Sequence, residues 1–96
     1  YYNNQEYQKA FESFEKAAEQ EDEQAQFMLG EMYYYGEYVK KDYSQAHKCY
    51  ERAAQKGHPK AIYSLGVIYS EGEGVEIDDE KAFEYYQQAA EKGNVS

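Results

Sequence analysis

The chain has 96 residues, 19 of them acidic and 10 basic, for a formal net charge of -9. That balance disfavours nucleic acid and anionic membrane as partners, because both attract positively charged surfaces. No apolar run approaches the roughly 20 residues of a membrane span, no signal-peptide pattern opens the chain, and Cys49 has no second cysteine to pair with, which suits a reducing, cytoplasmic compartment.

Only 13 residues are Leu, Ile, Val or Phe, a scarcity that together with the charge resembles disorder by composition alone. Against that stand 13 tyrosines and many alanines at fixed intervals. Residues 25–57 laid on residues 61–93, a shift of 36, match at 14 of 33 positions: Ala25, Leu29, Gly30, Tyr33, Gly36, Glu37, Val39, Asp42, Ala46, Tyr50, Ala53, Ala54, Lys56 and Gly57 all recur. A period of that size marks stacked supersecondary units. The expected core is therefore Ala and Tyr rather than Leu.

In chain order, Tyr1 to Gln5 read as the remains of a loop, and residues from about Glu6 to Gln20 as a helix. Ala10, Phe14, Ala17 and Ala18 share one face of that helix and align with Ala46, Tyr50, Ala53 and Ala54. It is thus the second helix of a repeat whose first helix is missing. Asp22 is the expected N-cap of a helix over about Glu23–Tyr35, with Ala25, Leu29, Met32 and Tyr33 inward, Gly30 admitting a neighbouring backbone, and Gly36 closing the last turn.

A short loop then leads to Asp42 as the next cap, with Gln45 at the capping-box position, and to a helix over about Tyr43–Lys56 ended by Gly57. His58 precedes Pro59, a favoured first helical residue, and reads as a cap for a helix over about Pro59–Glu71, with Ala61, Leu65, Gly66, Ile68 and Tyr69 inward. Asp78 caps a last helix over about Asp79–Lys92. The expected fold is all-α: five helices in a solenoid of antiparallel pairs, with a partial repeat over 1–22 and full repeats over 23–58 and 59–94. Asn94, Val95 and Ser96 match His58, Pro59 and Lys60, so the stretch reads as an excerpt of a longer array.

The strings Leu65-Gly66-Val67-Ile68-Tyr69 and Gly72-Glu73-Gly74-Val75, followed by Asp78, Lys81-Ala82, Tyr86 and Ala89-Ala90-Glu91-Lys92-Gly93, closely resemble the Sel-1-like repeat, a branch of the tetratricopeptide-like α-solenoids. Its pattern reads A-x3-LG-x2-Y-x2-G-x-GV-x2-D-x3-A-x3-Y-x2-AA-x2-G, and the likeness covers essentially the whole chain. Tyr38 departs from it by standing at the second loop glycine, which implies strain if that position needs positive φ. The resemblance implies a right-handed stack serving as a protein-interaction scaffold or adaptor, without shared catalytic residues. Cysteine-rich relatives staple their repeats with paired cysteines, which Cys49 alone cannot do.

In a solenoid of helix pairs the first helices line the concave wall, where ligands usually lie. Helical geometry places Gln24, Phe27, Glu31 and Tyr34 opposite the Ala25/Leu29/Tyr33 stripe, with Lys60, Tyr63, Val67 and Ser70 as counterparts. These eight are the expected partner-binding residues for a protein or peptide; Phe27, Tyr34 and Tyr63 are the candidate anchors, and packing between helices is their competing role. The stripe Lys48, Arg52 and Lys56 offers an acidic peptide a second surface, or is simply a solvated face. An architectural spacer without a ligand is the alternative function, and raw solenoid ends make end-to-end self-association a further possibility.

No catalytic, cofactor or metal site is expected. Ser13-Phe14-Glu15-Lys16 satisfies S-x-x-K, the basis of a remote β-lactam-hydrolase reading, but the partner strings S-D-N and K-T-G are missing. His47 and Cys49 form H-x-C with no second pair to complete a tetrahedral site; His47 aligns with Phe11 and Phe83, a packing position. The six carboxylates between Glu71 and Glu80 lack the spacing of a calcium loop.

Overall fold

The computed structural model describes residues 4–93. Five helices follow one another: α1 (Asn4–Glu19), α2 (Glu23–Tyr35), α3 (Tyr43–Gln55), α4 (Pro59–Glu71) and α5 (Asp79–Gly93). No strand occurs among the described residues. Four of the five agree with the sequence-based spans to within a residue. Helix α1 begins at Asn4, not Glu6, since no glycine or proline interrupts the helix there. Tyr1–Asn3 and Asn94–Ser96 lie outside the described residues.

The starts of α2 to α5 are held by the residues the sequence nominated. A carboxylate oxygen of Asp22 accepts from the Ala25 N–H at 3.1 Å, Asp42 from Gln45 at 3.2 Å and Asp78 from Lys81 at 3.1 Å, each satisfying one of the orphan donors of a first turn. Gly36 and Gly72 end α2 and α4 in the left-handed conformation. Tyr38 does adopt positive φ, 70°, at the position where the second repeat has Gly74 at 78°. Its ring lies 5.7 Å from that of Phe11, a contact that offsets part of the strain.

The principal packing runs between chain neighbours: α1 on α2, α2 on α3, α3 on α4, α4 on α5. The main core joins Phe27 of α2 to Ala46, Tyr50 and Ala53 of α3 and to Ala61, Leu65 and Ile68 of α4. A smaller one joins Ala18 of α1 to Ala25 and Leu29 of α2. Gly30 does not admit a neighbouring backbone, as its spacing had suggested; it admits a ring. A Cβ on Gly30 would fall 2.7 Å from Cδ1 and Cε1 of Tyr50, and one on Gly66 would fall 2.7 Å from Cε1 of Tyr86. At Gly30 the three nearest atoms all belong to the Tyr50 ring, whereas at Gly66 the Ala82 carbonyl oxygen also comes within 3.3 Å.

Polar contacts fasten one repeat to the next. Arg52 Nη2 donates to the Ala18 carbonyl at 3.3 Å and Lys56 Nζ to the Glu21 carbonyl at 2.7 Å. Both cations thus sit where the α1 dipole ends. His58 is 7 % exposed; its Nδ1 accepts from the Ala61 N–H at 3.2 Å, and its Nε2 lies 2.8 Å from Gln24 Oε1. The two contacts together require the neutral ring with its proton on Nε2. Phe27 stacks on that ring at 4.8 Å. Burial pushes the His58 pKa down, opposed by Glu23 and helped by Lys60.

Two predictions follow from this packing. A depressed folded-state pKa means that neutral His58 contributes stability above its ordinary value near 6.5, which is lost as pH falls through the window just below it. Comparing denaturant midpoints at pH 7 and pH 5, the native chain should lose more stability than a His58→Asn variant, whose cap does not titrate, by up to about 1.4 kcal/mol per pH unit. Equal losses would remove His58 from the account. Gln26 is the other polar group in the core: Nε2 reaches the Ala18 carbonyl at 3.3 Å, but Oε1 is buried without a partner. Ile62 is its counterpart in the next repeat, and Arg52 still satisfies the Ala18 carbonyl without it. Gln26→Ile should therefore raise the unfolding free energy by about 1 kcal/mol, the order of an orphaned buried acceptor.

Candidate functional site

The first helices α2 and α4 are packed on both sides, which is why their apolar residues spread over more than one face. On the side away from α1, residues of α2, α4 and the end of α5 enclose a groove of ≈ 1020 Å³. Glu31 and Tyr35 form one wall; Lys60, Tyr63 and Ser64 form the other; Phe27 lies in the floor, and Tyr86, Ala89 and Ala90 close the end. A narrower cleft of ≈ 100 Å³ shares Glu31, Tyr35, Tyr63 and Ser64 with it and adds Tyr34, Tyr50 and Val67.

Of the eight residues expected to bind a partner, six therefore line these two adjoining hollows: Phe27, Glu31, Tyr34, Lys60, Tyr63 and Val67. They differ in what they offer. Tyr63 is 56 % exposed, but Phe27 is only 8 % exposed; held between His58 and Tyr50, it is part of the floor and not a free anchor. Tyr34 is half-buried, its ring 5.5 Å from Tyr43 and its hydroxyl donating to Glu73 Oε1 at 2.6 Å. Gln24 and Ser70 lie outside the lining of both hollows, and Gln24 is spent on His58. Tyr35, 62 % exposed, was missed because it sits one residue round the helix from Tyr34, and Gly36 places it in the last turn, where the stripe rule is weakest.

Glu31 is the one acid within the walls. Burial raises its pKa, while the Tyr50 hydroxyl, donating to Oε1 at 3.1 Å, and Lys60 pull it the other way. Burial likewise pushes the hydroxyls of Tyr34 and Tyr50 far above their usual range, so both remain donors. The groove thus presents rings and methyl groups with a carboxylate on one wall and an ammonium on the other.

The other sequence motifs have local explanations. His47 packs edge-on against Tyr69 at 5.7 Å, with Nε2 3.1 Å from the tyrosine hydroxyl. Burial pushes the Cys49 thiol up, which lowers its thiolate fraction. Ser13 and Lys16 are both exposed on α1. Among the described residues no three His, Cys, Asp or Glu side chains gather as a metal set, and no described helix is long and apolar enough to cross a membrane.

Comparison with known proteins places this architecture. The fold is similar to a Sel1 repeat protein from Oxalobacter formigenes (TM-score 0.87, 38% identity over 92% of this chain and 36% of that one). It is also similar to a protective antigen with an SLR fold from uropathogenic Escherichia coli strains (TM-score 0.83, 40% identity, 86% of this chain and 18% of that one). Helicobacter pylori cysteine rich protein B matches at TM-score 0.85 and 30% identity, over 92% of this chain and 66% of that one. The chain therefore spans only part of each of these proteins. No curated protein matches it. Sel1 repeats are matched at residues 4–22, 23–58 and 59–94, and with that register, these neighbours and Tyr50 and Tyr86 on their glycines, the chain belongs to the Sel1 repeat family, whose members are generally non-catalytic modules for protein–protein interaction.

Proposed function

We propose that this chain is a non-catalytic docking module that receives a protein or peptide in the groove between α2, α4 and α5. The observation that carries this reading is the pairing of Tyr35 and Tyr63, both more than half exposed, across a floor of buried Phe27 and Tyr50. Large rings held on rigid helices give up contact area at small entropic cost, which is how binding anchors work. Glu31 and Lys60, on opposite walls, set the polarity of what can lie between them.

The competing basic stripe is less available. Arg52 and Lys56 already serve the carbonyls at the end of α1, and Lys56 also approaches the Glu21 carboxylate at 3.4 Å. Of the three only Lys48 remains uncommitted in this way, so the groove is the better surface.

Peptides selected on the chain from a random library provide the test. Tyr63→Ala and Tyr35→Ala should each weaken the selected peptides by about tenfold or more, roughly 1.4 kcal/mol, and leave the unfolding midpoint nearly unchanged because both rings are exposed. Phe27→Ala is not a clean variant, since it also removes a core side chain. Undiminished binding to both tyrosine variants would contradict the reading.

A further inference from the structure

The narrow cleft of ≈ 100 Å³ beside the groove is lined by α2, α3 and α4 alone, so its walls take nothing from α5. Its volume falls below the about 300 Å³ at which small-molecule pockets begin, which suits one side chain rather than a free ligand. Four tyrosine rings, Tyr34, Tyr35, Tyr50 and Tyr63, surround a single carboxylate, that of Glu31. Two of the rings are committed. Tyr34 donates to Glu73 and packs on Tyr43, and Tyr50 is buried in the core. Tyr35 and Tyr63 stand open, and Tyr34 braces Tyr35 edge-on at 4.8 Å.

The charge around these rings is negative. The Tyr50 hydroxyl donates to Glu31 Oε1 at 3.1 Å, which fixes the carboxylate and leaves Oε2 to accept from a ligand. Among the described residues no cation forms an ion pair with Glu31. Burial raises the Glu31 pKa, and of the charges nearby Glu37 raises it more than Lys60 lowers it. Burial raises the Tyr35 pKa too, with Glu31, Glu37 and Glu73 adding to the effect. Lys60 lines the wider groove but not the cleft. Lys41 lies over the Tyr43 ring at 4.8 Å, in the field of Glu73.

A carboxylate held half out of water is stabilised by a cation brought to it. An aromatic face within about 6 Å of that cation adds to the attraction. A flat, weakly hydrated guanidinium suits such a slot better than an ammonium. We propose that the cleft is a subsite for one arginine side chain of the docked peptide, its guanidinium donating to Glu31 Oε2 and lying against Tyr35 and Tyr63. This rests on the docking reading above and deepens it: the two exposed rings are anchors there, and here they also select charge. The net charge of -9 favours the approach of such a basic peptide.

Peptides selected on the intact chain from a random library are again the probe, each compared with a copy in which citrulline replaces arginine, keeping the shape and losing the charge. The selected peptides should share an arginine at one position, and lysine put there should bind more weakly. Citrulline at that position should weaken binding to the unaltered chain about tenfold, the order of a hydrogen bond to a charged group. On Glu31→Gln the same exchange should cost less than about threefold, because the two changes strike one contact. Glu31→Gln keeps an oxygen for the Tyr50 hydroxyl, and an unchanged unfolding midpoint checks that it folds. Tyr35→Leu, at an exposed position, is the second variant and should shrink the citrulline penalty by removing the ring face while keeping apolar area. Peptides that are weakened by Tyr63→Ala but share no arginine, or that lose equally to citrulline on all three chains, overturn the arginine subsite and leave the docking reading standing. A shared aspartate or glutamate would do the same by making Lys60 the selecting charge. If no peptide is selected, the docking reading fails and the subsite falls with it.

Discussion

A tyrosine ring lying on a bare glycine is the contact from which the rest of this structure follows. Tyr50 occupies the position a methyl group on Gly30 would need, and Tyr86 does the same over Gly66; both hypothetical methyls fall 2.7 Å from ring carbon. Glycine inside a helix costs about 1 kcal/mol relative to alanine. Burying an aromatic side chain returns roughly 1.5–3 kcal/mol, so the exchange favours the pair wherever the ring is sealed. Tyr50 is sealed, and its far side forms the seat on which Leu65 and Ala61 of the next helix rest. One side chain closes its own repeat and starts the following one.

That dual role explains why so little Leu, Ile, Val and Phe can support an ordered chain. Alanines on the second helices let the first helices approach, and tyrosines fill the remaining space while their hydroxyls reach solvent or a carboxylate: Tyr50 to Glu31, Tyr34 to Glu73. The acids that give the chain its negative charge are in part acceptors for buried rings. The second of these bonds ties α2 to the loop after α4, across two repeats, and so stiffens the wall of the groove.

The fold was legible because the 36-residue interval repeats cap, core and terminating residue together: Asp42 and Asp78, Tyr50 and Tyr86, Gly36 and Gly72. Even the strained Tyr38 was readable from its glycine counterpart. The candidate site was legible only in part. A first helix is apolar on two faces, one toward the preceding second helix and one toward the following one, so a single stripe could not tell that Phe27 is floor while Tyr35 is wall. Gln26 and Ile62, equivalent in register and opposite in polarity, show the same limit from the other side.

The central claim, that ring and glycine are one unit, is tested most directly by a double-mutant cycle on Gly30→Ala and Tyr50→Leu, read from denaturant unfolding. With Tyr50 in place the added methyl should destabilise by about 1–3 kcal/mol; with leucine there, which removes the ring edge, much of that cost should vanish and the better helix propensity of alanine should show. A coupling free energy of about 1 kcal/mol or more is expected for groups in contact. Strictly additive effects would mean that Gly30 and Tyr50 act independently, and the account of the repeat built on their contact would be wrong.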